Sequence, residues 1–114
     1  MQLFKKLLNS LRYSIEGIIA VWKKELSFRL EIYVCIIAIP MILFLYRGKL
    51  EKIILILLLL LLLVIELVNS AIEALVDRIS NEIHPQSKIA KDAGSAAVTI
   101  VILMNIIAWI GFFF

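Results

Sequence analysis

An unbroken run of Leu, Ile and Val over residues 53–65 limits this chain more than any other feature, because a small soluble domain cannot bury so apolar a segment. Apolar residues also dominate 26–46 and 91–114, and a helix of about 20 residues crosses the hydrocarbon of a bilayer. Hydrophobic residues make up 63% of the chain, whereas about 45–50% is usual in soluble domains. We therefore predict an all-α membrane protein, a single domain over 1–114, with transmembrane helices at 26–46, 50–80 and 91–114.

Residues 1–24 have a different pattern. Leu, Ile, Phe and Trp recur every three or four positions, and Lys, Arg, Asn and Glu lie between them. This spacing predicts an amphipathic helix, and basic residues opposite an apolar face are typical of helices that lie in the membrane interface. A helix that binds a partner protein would show the same pattern. The segment lacks the continuous apolar core and the cleavage site of a signal peptide.

The twelve Lys and Arg residues are unevenly distributed around the predicted spans. Nine lie on the side of the N-terminus, and three, Arg47, Lys49 and Lys52, lie on the other side. Because cytoplasmic loops carry the excess of basic residues, we predict a cytoplasmic N-terminus and an external C-terminus. The net charge of +3 then reflects topology, and no nucleic-acid partner is expected. The lone Cys35 makes no disulfide framework, and the sequence has neither zinc-site spacing nor a glycine-rich phosphate loop.

Five polar residues follow the apolar run within an arc of about 100° on one helix. We call Glu66, Asn69, Ser70, Glu73 and Asp77 the acidic stripe. Glu66 lies about 20 Å along the helix from the outer interface, near the inner headgroup level. A carboxylate at that depth is costly unless it is protonated, paired or hydrated, so the stripe must face protein, a cation or water. Hydrogen bonding between helices would explain Asn69 and Ser70 but explains the carboxylates poorly, which favours a functional site.

Further charged residues are predicted on the same side of the membrane: Glu25 and Glu31 near the start of the first span, and Lys91 and Asp92 at the start of the third. Proteins commonly hold Mg²⁺ with one or two carboxylates together with substrate phosphates, and an unligated carboxylate can act as a general base. The residues therefore permit metal-assisted phosphoryl transfer, and they equally permit cation or proton transport. Three helices enclose such a site poorly, so we expect a homo-oligomer with sites between subunits.

Three segments resemble motifs of the prokaryotic diacylglycerol kinase family: Glu25-x-x-Phe28-Arg29-x-Glu31, Glu-Leu-Val-Asn-Ser-Ala-Ile-Glu-Ala-Leu-Val-Asp-Arg-Ile over 66–79, and Ala-Lys-Asp-Ala-Gly-Ser-Ala-Ala-Val over 90–98. The resemblance runs nearly end to end. It implies a homotrimer of three-span subunits in the bacterial inner membrane, each preceded by a surface helix, with composite sites between subunits. It also implies an enzyme that phosphorylates a membrane lipid alcohol with Mg-ATP.

The same resemblance implies a role for each matching residue. Glu66 would be the general base that takes the proton from the lipid hydroxyl, and Asn69 would lie next to the reacting centre. Glu25 and Glu73 would hold the Mg²⁺. The nucleotide would contact Lys6, Tyr13, Glu25, Glu73, Glu82, His84, Lys91 and Asp92. The lipid would contact Ser14, Trp22, Arg29, Glu31, Glu66, Ser95 and Trp109.

The resemblance leaves two lipid substrates open. A loop is predicted from about residue 81 to about residue 88, and its His84-Pro85 pair is similar to the undecaprenol kinases of the family. The motif at the start of the first span and residues 94–98 are similar to the diacylglycerol kinases. We expect diacylglycerol, with undecaprenol as the alternative.

Two hypotheses lie outside the family. A small ion- or proton-conducting oligomer would line its pore with the acidic stripe, but it would have no use for Glu25 or for Lys91 and Asp92 beyond the bilayer. A structural membrane subunit would consume no ATP with any lipid. These alternatives differ from a lipid kinase in what they do with ATP, so an assay of phosphate transfer separates them.

Overall fold

The computed structural model describes residues 1–45, 48–79 and 82–114. Within these ranges the chain forms four helices: α1 (Gln2–Lys24), α2 (Leu26–Leu45), α3 (Lys49–Ile79) and α4 (Pro85–Phe113). The last three are long and apolar enough to cross a membrane. The prediction of an all-α membrane protein with an N-terminal helix and three transmembrane helices is therefore confirmed. The homotrimer remains a prediction.

Four residues fall outside the described ranges. Tyr46 and Ser80 are the last residues of two predicted spans, Arg47 begins the predicted outer connection, and Asn81 begins the predicted loop on the other side. The predicted span ends at 46 and 80 thus lie outside the described residues, as does one of the three basic residues counted on the outer side. We call the end of the bundle where α2 begins, α3 ends and α4 begins the inner end, and the opposite end the outer end.

The fourth helix begins earlier than the sequence suggested. The loop predicted to continue to about residue 88 ends at His84, because Pro85 has the fixed φ that suits the first position of a helix. The His84 Nδ1 accepts a hydrogen bond of 3.1 Å from the Gln86 backbone N–H and so caps the helix. Ser87 and Lys88 are therefore helical, and the predicted end of the loop was wrong.

An elbow at Glu25 joins α1 to α2. Glu25 has an extended backbone (φ −110°, ψ 114°) and ends α1, which has no buried residue. The Arg29 guanidinium reaches back from α2 and donates hydrogen bonds to the carbonyls of Trp22 at 2.9 Å and Lys23 at 3.3 Å. These bonds satisfy carbonyls that the end of a helix leaves without partners. Trp22 also packs edge-on against Tyr33, so the direction in which α1 leaves the bundle is fixed by several contacts.

The third helix contacts each of the other three, and its contact with α4 is the most extensive. Toward the outer end, a cluster of buried apolar residues joins α2 to α3: Cys35, Ala38, Ile42, Leu55 and Leu59. In lipid the hydrophobic effect adds little to association between helices, so close packing and interhelical hydrogen bonds hold the bundle together. The outer half of the bundle is therefore an apolar packing region.

One buried amide lies in that region. The Asn105 Nδ2 donates to the Leu58 carbonyl on α3 at 3.1 Å and to the Val101 carbonyl on its own helix at 3.0 Å. Its side-chain oxygen is buried without a hydrogen-bond partner. Asn105 thus links α4 to the backbone of α3, and no ionisable group takes part in this link.

Candidate active site

The acidic stripe passes from the buried interior to the surface as α3 approaches the inner end. Glu66, Asn69 and Ser70 are 5%, 8% and 4% exposed, Glu73 is half-buried, and Asp77 is exposed. Because α3 has 31 residues, it is about 46 Å long, which exceeds the roughly 30 Å of bilayer hydrocarbon. Glu66, Asn69 and Ser70 therefore face protein, as expected, and Asp77 lies at the surface of the inner end.

Glu66 is held by two residues of α2. The Ser27 hydroxyl donates a hydrogen bond of 2.9 Å to Glu66 Oε1. The Glu31 carboxyl lies within hydrogen-bonding reach of the Glu66 carboxyl, and Glu31 Oε2 is buried without a partner. The two carboxyl groups therefore lie side by side where α2 packs on α3. Sequence reasoning identified both acids but missed Ser27, because only the rotation of α2 on α3 brings its hydroxyl to Glu66.

Asn69 and Glu73, one turn apart on α3, are joined by a hydrogen bond of 3.3 Å from Asn69 Nδ2 to Glu73 Oε1. The other end of the amide, Oδ1, is buried and has no hydrogen-bond partner. It points at Gly94 of α4, where an added Cβ would lie 2.3 Å from it. Asn69, predicted to lie next to the reacting centre, is thus adjacent to Glu73, a predicted metal ligand. The buried Gly94 of α4 packs against Asn69.

A pocket of ≈ 300 Å³, which we call the inner pocket, opens between the end of α3 and the start of α4. Seven of its lining residues are polar or charged: Asp77, Glu82, His84, Ser87, Lys88, Lys91 and Asp92. Four of these were predicted to contact the nucleotide, namely Glu82, His84, Lys91 and Asp92. The structure therefore brings together residues that the sequence places on both sides of a loop.

Charge pairs organise this pocket. The Lys91 ammonium donates to the Asp77 carboxylate, and the Lys88 ammonium donates to the Asp92 carboxylate one turn along α4. Glu73 is close enough to Lys91 to attract it, and Lys24 at the end of α1 is close enough to attract Asp77. Lys88 and Lys91 thus bring two ammonium groups to the pocket, and such groups form strong charge-assisted hydrogen bonds with carboxylates and phosphates.

The predicted metal ligands are carboxylates, which suit Mg²⁺. No group of three or more His, Cys, Asp or Glu side chains close enough to hold a metal occurs within 1–45, 48–79 and 82–114. These residues do not form a full protein cage, but one or two carboxylates that share the ion with substrate phosphates are compatible with them. Glu73 is half-buried beside Asn69, and Glu25 is half-buried at the elbow.

Three predicted residues of α1 lie on its exposed surface. Lys6 and Tyr13 are exposed, and Arg12 stacks over the Tyr13 ring at 5.3 Å. The Ser14 hydroxyl donates to the Ser10 carbonyl. Ser14 also lines an apolar groove of ≈ 480 Å³ between α1 and α3, which we call the side groove. The buried Ser70 hydroxyl, which has no hydrogen-bond partner, lines the same groove.

The remaining predicted lipid contacts are spread over the molecule. Trp22 and Arg29 belong to the elbow, where the Arg29 guanidinium bonds to carbonyls of α1. Ser95 is exposed on α4. Trp109 lies near the outer end, stacked on Phe113 with ring centroids 5.1 Å apart. Within one chain, therefore, the described contacts group Glu31 with Glu66 but do not gather the whole predicted lipid set.

These features define an integral membrane protein with an ionisable site at one end of its transmembrane helices. The model of the prokaryotic diacylglycerol kinase family matches residues 12–113. The chain is 44% identical over 108 residues to a diacylglycerol kinase of Haemophilus influenzae, covering 95% of this chain and 92% of the relative. It is 41% identical over 105 residues to one of Pseudomonas aeruginosa (92% and 85%) and 39% identical over 106 residues to one of Escherichia coli (93% and 87%). The chain belongs to the prokaryotic diacylglycerol kinase family, which confirms the resemblance of its motifs.

Proposed function

We propose that this protein transfers the terminal phosphate of Mg-ATP to the hydroxyl of diacylglycerol and forms phosphatidic acid. The observation that carries the proposal is the continuous path along α3 from the buried Glu66, through Asn69 and Glu73, to the inner pocket with Lys91. A lipid hydroxyl and a soluble nucleotide could meet on such a path without either leaving its own phase. The names of the three relatives support the same reaction.

Glu66 is the proposed general base. The proton of the lipid hydroxyl passes to Glu66, the lipid oxygen bonds to the terminal phosphorus, and the bond from that phosphorus to the bridging oxygen breaks to release ADP. The Ser27 hydroxyl orients the Glu66 carboxylate by donating a hydrogen bond to Oε1. Much of the rate in such a reaction comes from positioning the two reactants in line.

The inner pocket is the proposed nucleotide site. Lys91 leaves Asp77 to meet the phosphates, and Glu82, His84 and Asp92 border the nucleotide. Lys6 and Tyr13 contribute from α1. Glu25 and Glu73 would hold the Mg²⁺, which neutralises charge on the phosphates when bound.

The lipid is proposed to lie along α1, α2 and the adjoining face of α3. Glu31 and Glu66 meet the headgroup end, the elbow residues Trp22 and Arg29 border it, and the side groove with Ser14 is wide and apolar enough for an acyl chain.

A homotrimer would complete this site. Ser95 is exposed on α4, about 100° around the helix from Gly94, which faces α3. We therefore assign Ser95 and Trp109 to the lipid site of a neighbouring subunit, with composite sites between subunits. The excess of basic residues at the inner end supports a cytoplasmic N-terminus in a bacterial inner membrane.

Undecaprenol is the second candidate substrate, on the strength of the His84-Pro85 pair. That pair already has a structural role here, because His84 caps α4 and Pro85 begins it. It therefore says less about the lipid than the sequence alone suggested, and diacylglycerol is the better-supported substrate.

The test supplies the purified protein in detergent micelles with ATP, Mg²⁺ and either diacylglycerol or undecaprenol, and follows the phosphorylated lipid. Rapid labelling of diacylglycerol with weak labelling of undecaprenol is the expected result. The reverse preference would replace the substrate, and labelling of neither lipid would refute the kinase.

A further inference from the structure

We propose that Gly94 is a positioning residue for phosphoryl transfer. Because Gly94 has no side chain, the Asn69 amide has room to keep the orientation in which it donates to the Glu73 carboxylate. The inference rests on the proposed function, since it assigns Gly94 a part in the same reaction. Gly94 lies on α4, whereas the residues it would position lie on α3.

The geometry leaves no room for a side chain at this position. Gly94 is buried against α3, and a Cβ there would lie 2.3 Å from Asn69 Oδ1 and 3.3 Å from Asn69 Cγ. Heavy atoms do not approach so closely without a bond, so the amide would have to move. The nearest other atom, Ile72 Cδ1, lies at an ordinary contact distance of 3.8 Å. The obstruction is therefore specific to Asn69.

Movement of Asn69 has a consequence for Glu73. The amide is only 8% exposed and its Nδ2 donates to Glu73 Oε1 at 3.3 Å. Rotation that carries Oδ1 away from an added methyl group also carries Nδ2 away from the carboxylate. The Glu73 carboxylate then loses the donor that orients it, and a displacement of about 1 Å can lower the rate of an enzyme by about 100-fold.

A packing role alone would look different. Small residues often let transmembrane helices approach, and a methyl group at such a position then forces the backbones apart. At Gly94 the obstacle is the end of a side chain that can rotate, so the helices can keep their distance while the site is disarranged. Rotation of the amide breaks the bond from Nδ2 to Glu73, whereas Oδ1, buried without a partner, has no hydrogen bond to lose.

The test compares Gly94→Ala with Gly111→Ala on the same helix, where an added Cβ meets nothing within 4 Å. We expect Gly94→Ala to lower kcat about 100-fold and to raise the Mg²⁺ concentration required for half-maximal activity, with little change in KM for the lipid. Gly111→Ala should stay within about twofold of the wild type. A purely structural glycine would instead lower thermal stability without changing the response to Mg²⁺.

A double-mutant cycle makes the inference specific. Asn69→Ala removes the atoms that a methyl group added at position 94 would meet, so adding Gly94→Ala to that variant should cost no further activity or thermal stability. An undiminished effect of Gly94→Ala in the Asn69→Ala background would overturn the inference, even where the single variant folds poorly. So would a Gly94→Ala enzyme as active as Gly111→Ala. A wild-type protein that labels neither lipid would refute the proposed function itself, which is a separate result.

Discussion

Asn69 and Asn105 are two asparagines with the same burial, each 8% exposed. Both lie where α3 packs on α4, Asn69 toward the inner end and Asn105 toward the outer end. Each donates through Nδ2 and each leaves Oδ1 buried without a partner. Their hydrogen-bond partners differ. Asn105 bonds two backbone carbonyls, of Leu58 and Val101, whereas Asn69 bonds the carboxylate of Glu73.

The surroundings of the two amides explain what each can do. Asn105 lies near apolar neighbours in the outer half, and its bonds end on backbone atoms that do not change charge. Asn69 lies between the buried Glu66 and the half-buried Glu73, on a helix face that continues to the inner pocket. The hydrogen-bond partner of a buried amide therefore indicates whether the amide serves packing or a functional site. Its burial alone does not distinguish the two roles.

The largest effect is expected when the Glu66 carboxylate loses its basicity while the side chain keeps its shape. Glu66→Gln should lower the rate of lipid phosphorylation by about 100- to 10,000-fold, the usual contribution of a general base. Assembly should survive, because the Gln amide oxygen can still accept from Ser27. The matched control is Glu16→Gln on α1, where an exposed pair with Arg12 contributes little. Equal rates in the two variants would remove Glu66 from the mechanism.

Glu73→Gln tests the proposed role of Glu73, the hydrogen-bond partner of Asn69, as a ligand of Mg²⁺. A neutral amide is a weaker ligand for Mg²⁺ than a carboxylate, so we expect the Mg²⁺ concentration for half-maximal activity to rise about 10- to 100-fold. The measurement is the rate at saturating ATP and lipid over a series of Mg²⁺ concentrations. An unchanged Mg²⁺ dependence would show that Glu73 is not a ligand, and the Asn69 contact would then need another purpose.

Lys91→Ala should have a smaller effect, concentrated on the nucleotide. Loss of one charge-assisted contact to phosphate is expected to raise KM for ATP about tenfold. Lys49→Ala, at the exposed outer end of α3, provides the control and should leave KM unchanged. Should both variants bind ATP as the wild type does, the inner pocket would lose its assignment as the nucleotide site.

The smallest effect is expected at the outer amide. Asn105→Leu removes an interhelical hydrogen bond, which contributes about 0.6 kcal/mol on average in membrane proteins, and it also removes a buried oxygen that lacks a partner. These changes oppose each other, so stability should shift by less than about 1 kcal/mol and turnover should not change. Thermal unfolding in detergent and the lipid assay measure the two quantities. A large loss of activity with normal stability would erase the distinction between the two asparagines.

The fold could be predicted from the sequence because lipid restricts the choices. Apolar runs that cross a bilayer must be helical, and the 100° spacing then fixed which residues of the acidic stripe share a face. The amphipathic pattern likewise indicated α1. The start of α4 was placed too late, because Pro85 was interpreted as part of a loop although it fits the first turn of a helix equally well.

The contacts between helices could not be predicted in the same way. The bond from Ser27 to Glu66 joins residues 39 positions apart and depends on how α2 is rotated against α3. The approach of Gly94 to Asn69 depends on the register between α3 and α4, and the capping of α1 by Arg29 depends on the angle of the elbow. Periodicity gives the face of one helix but carries no information about how two faces are aligned.

One experiment on the reconstituted protein asks whether the acidic stripe performs chemistry or conducts ions. Wild-type protein is placed in vesicles that contain diacylglycerol and a pH-sensitive dye, and radiolabelled ATP with Mg²⁺ is added outside. A lipid kinase predicts labelled phosphatidic acid and a proton permeability equal to that of empty vesicles. Proton flux through the protein without labelled lipid would contradict it and would make the stripe the lining of a pore.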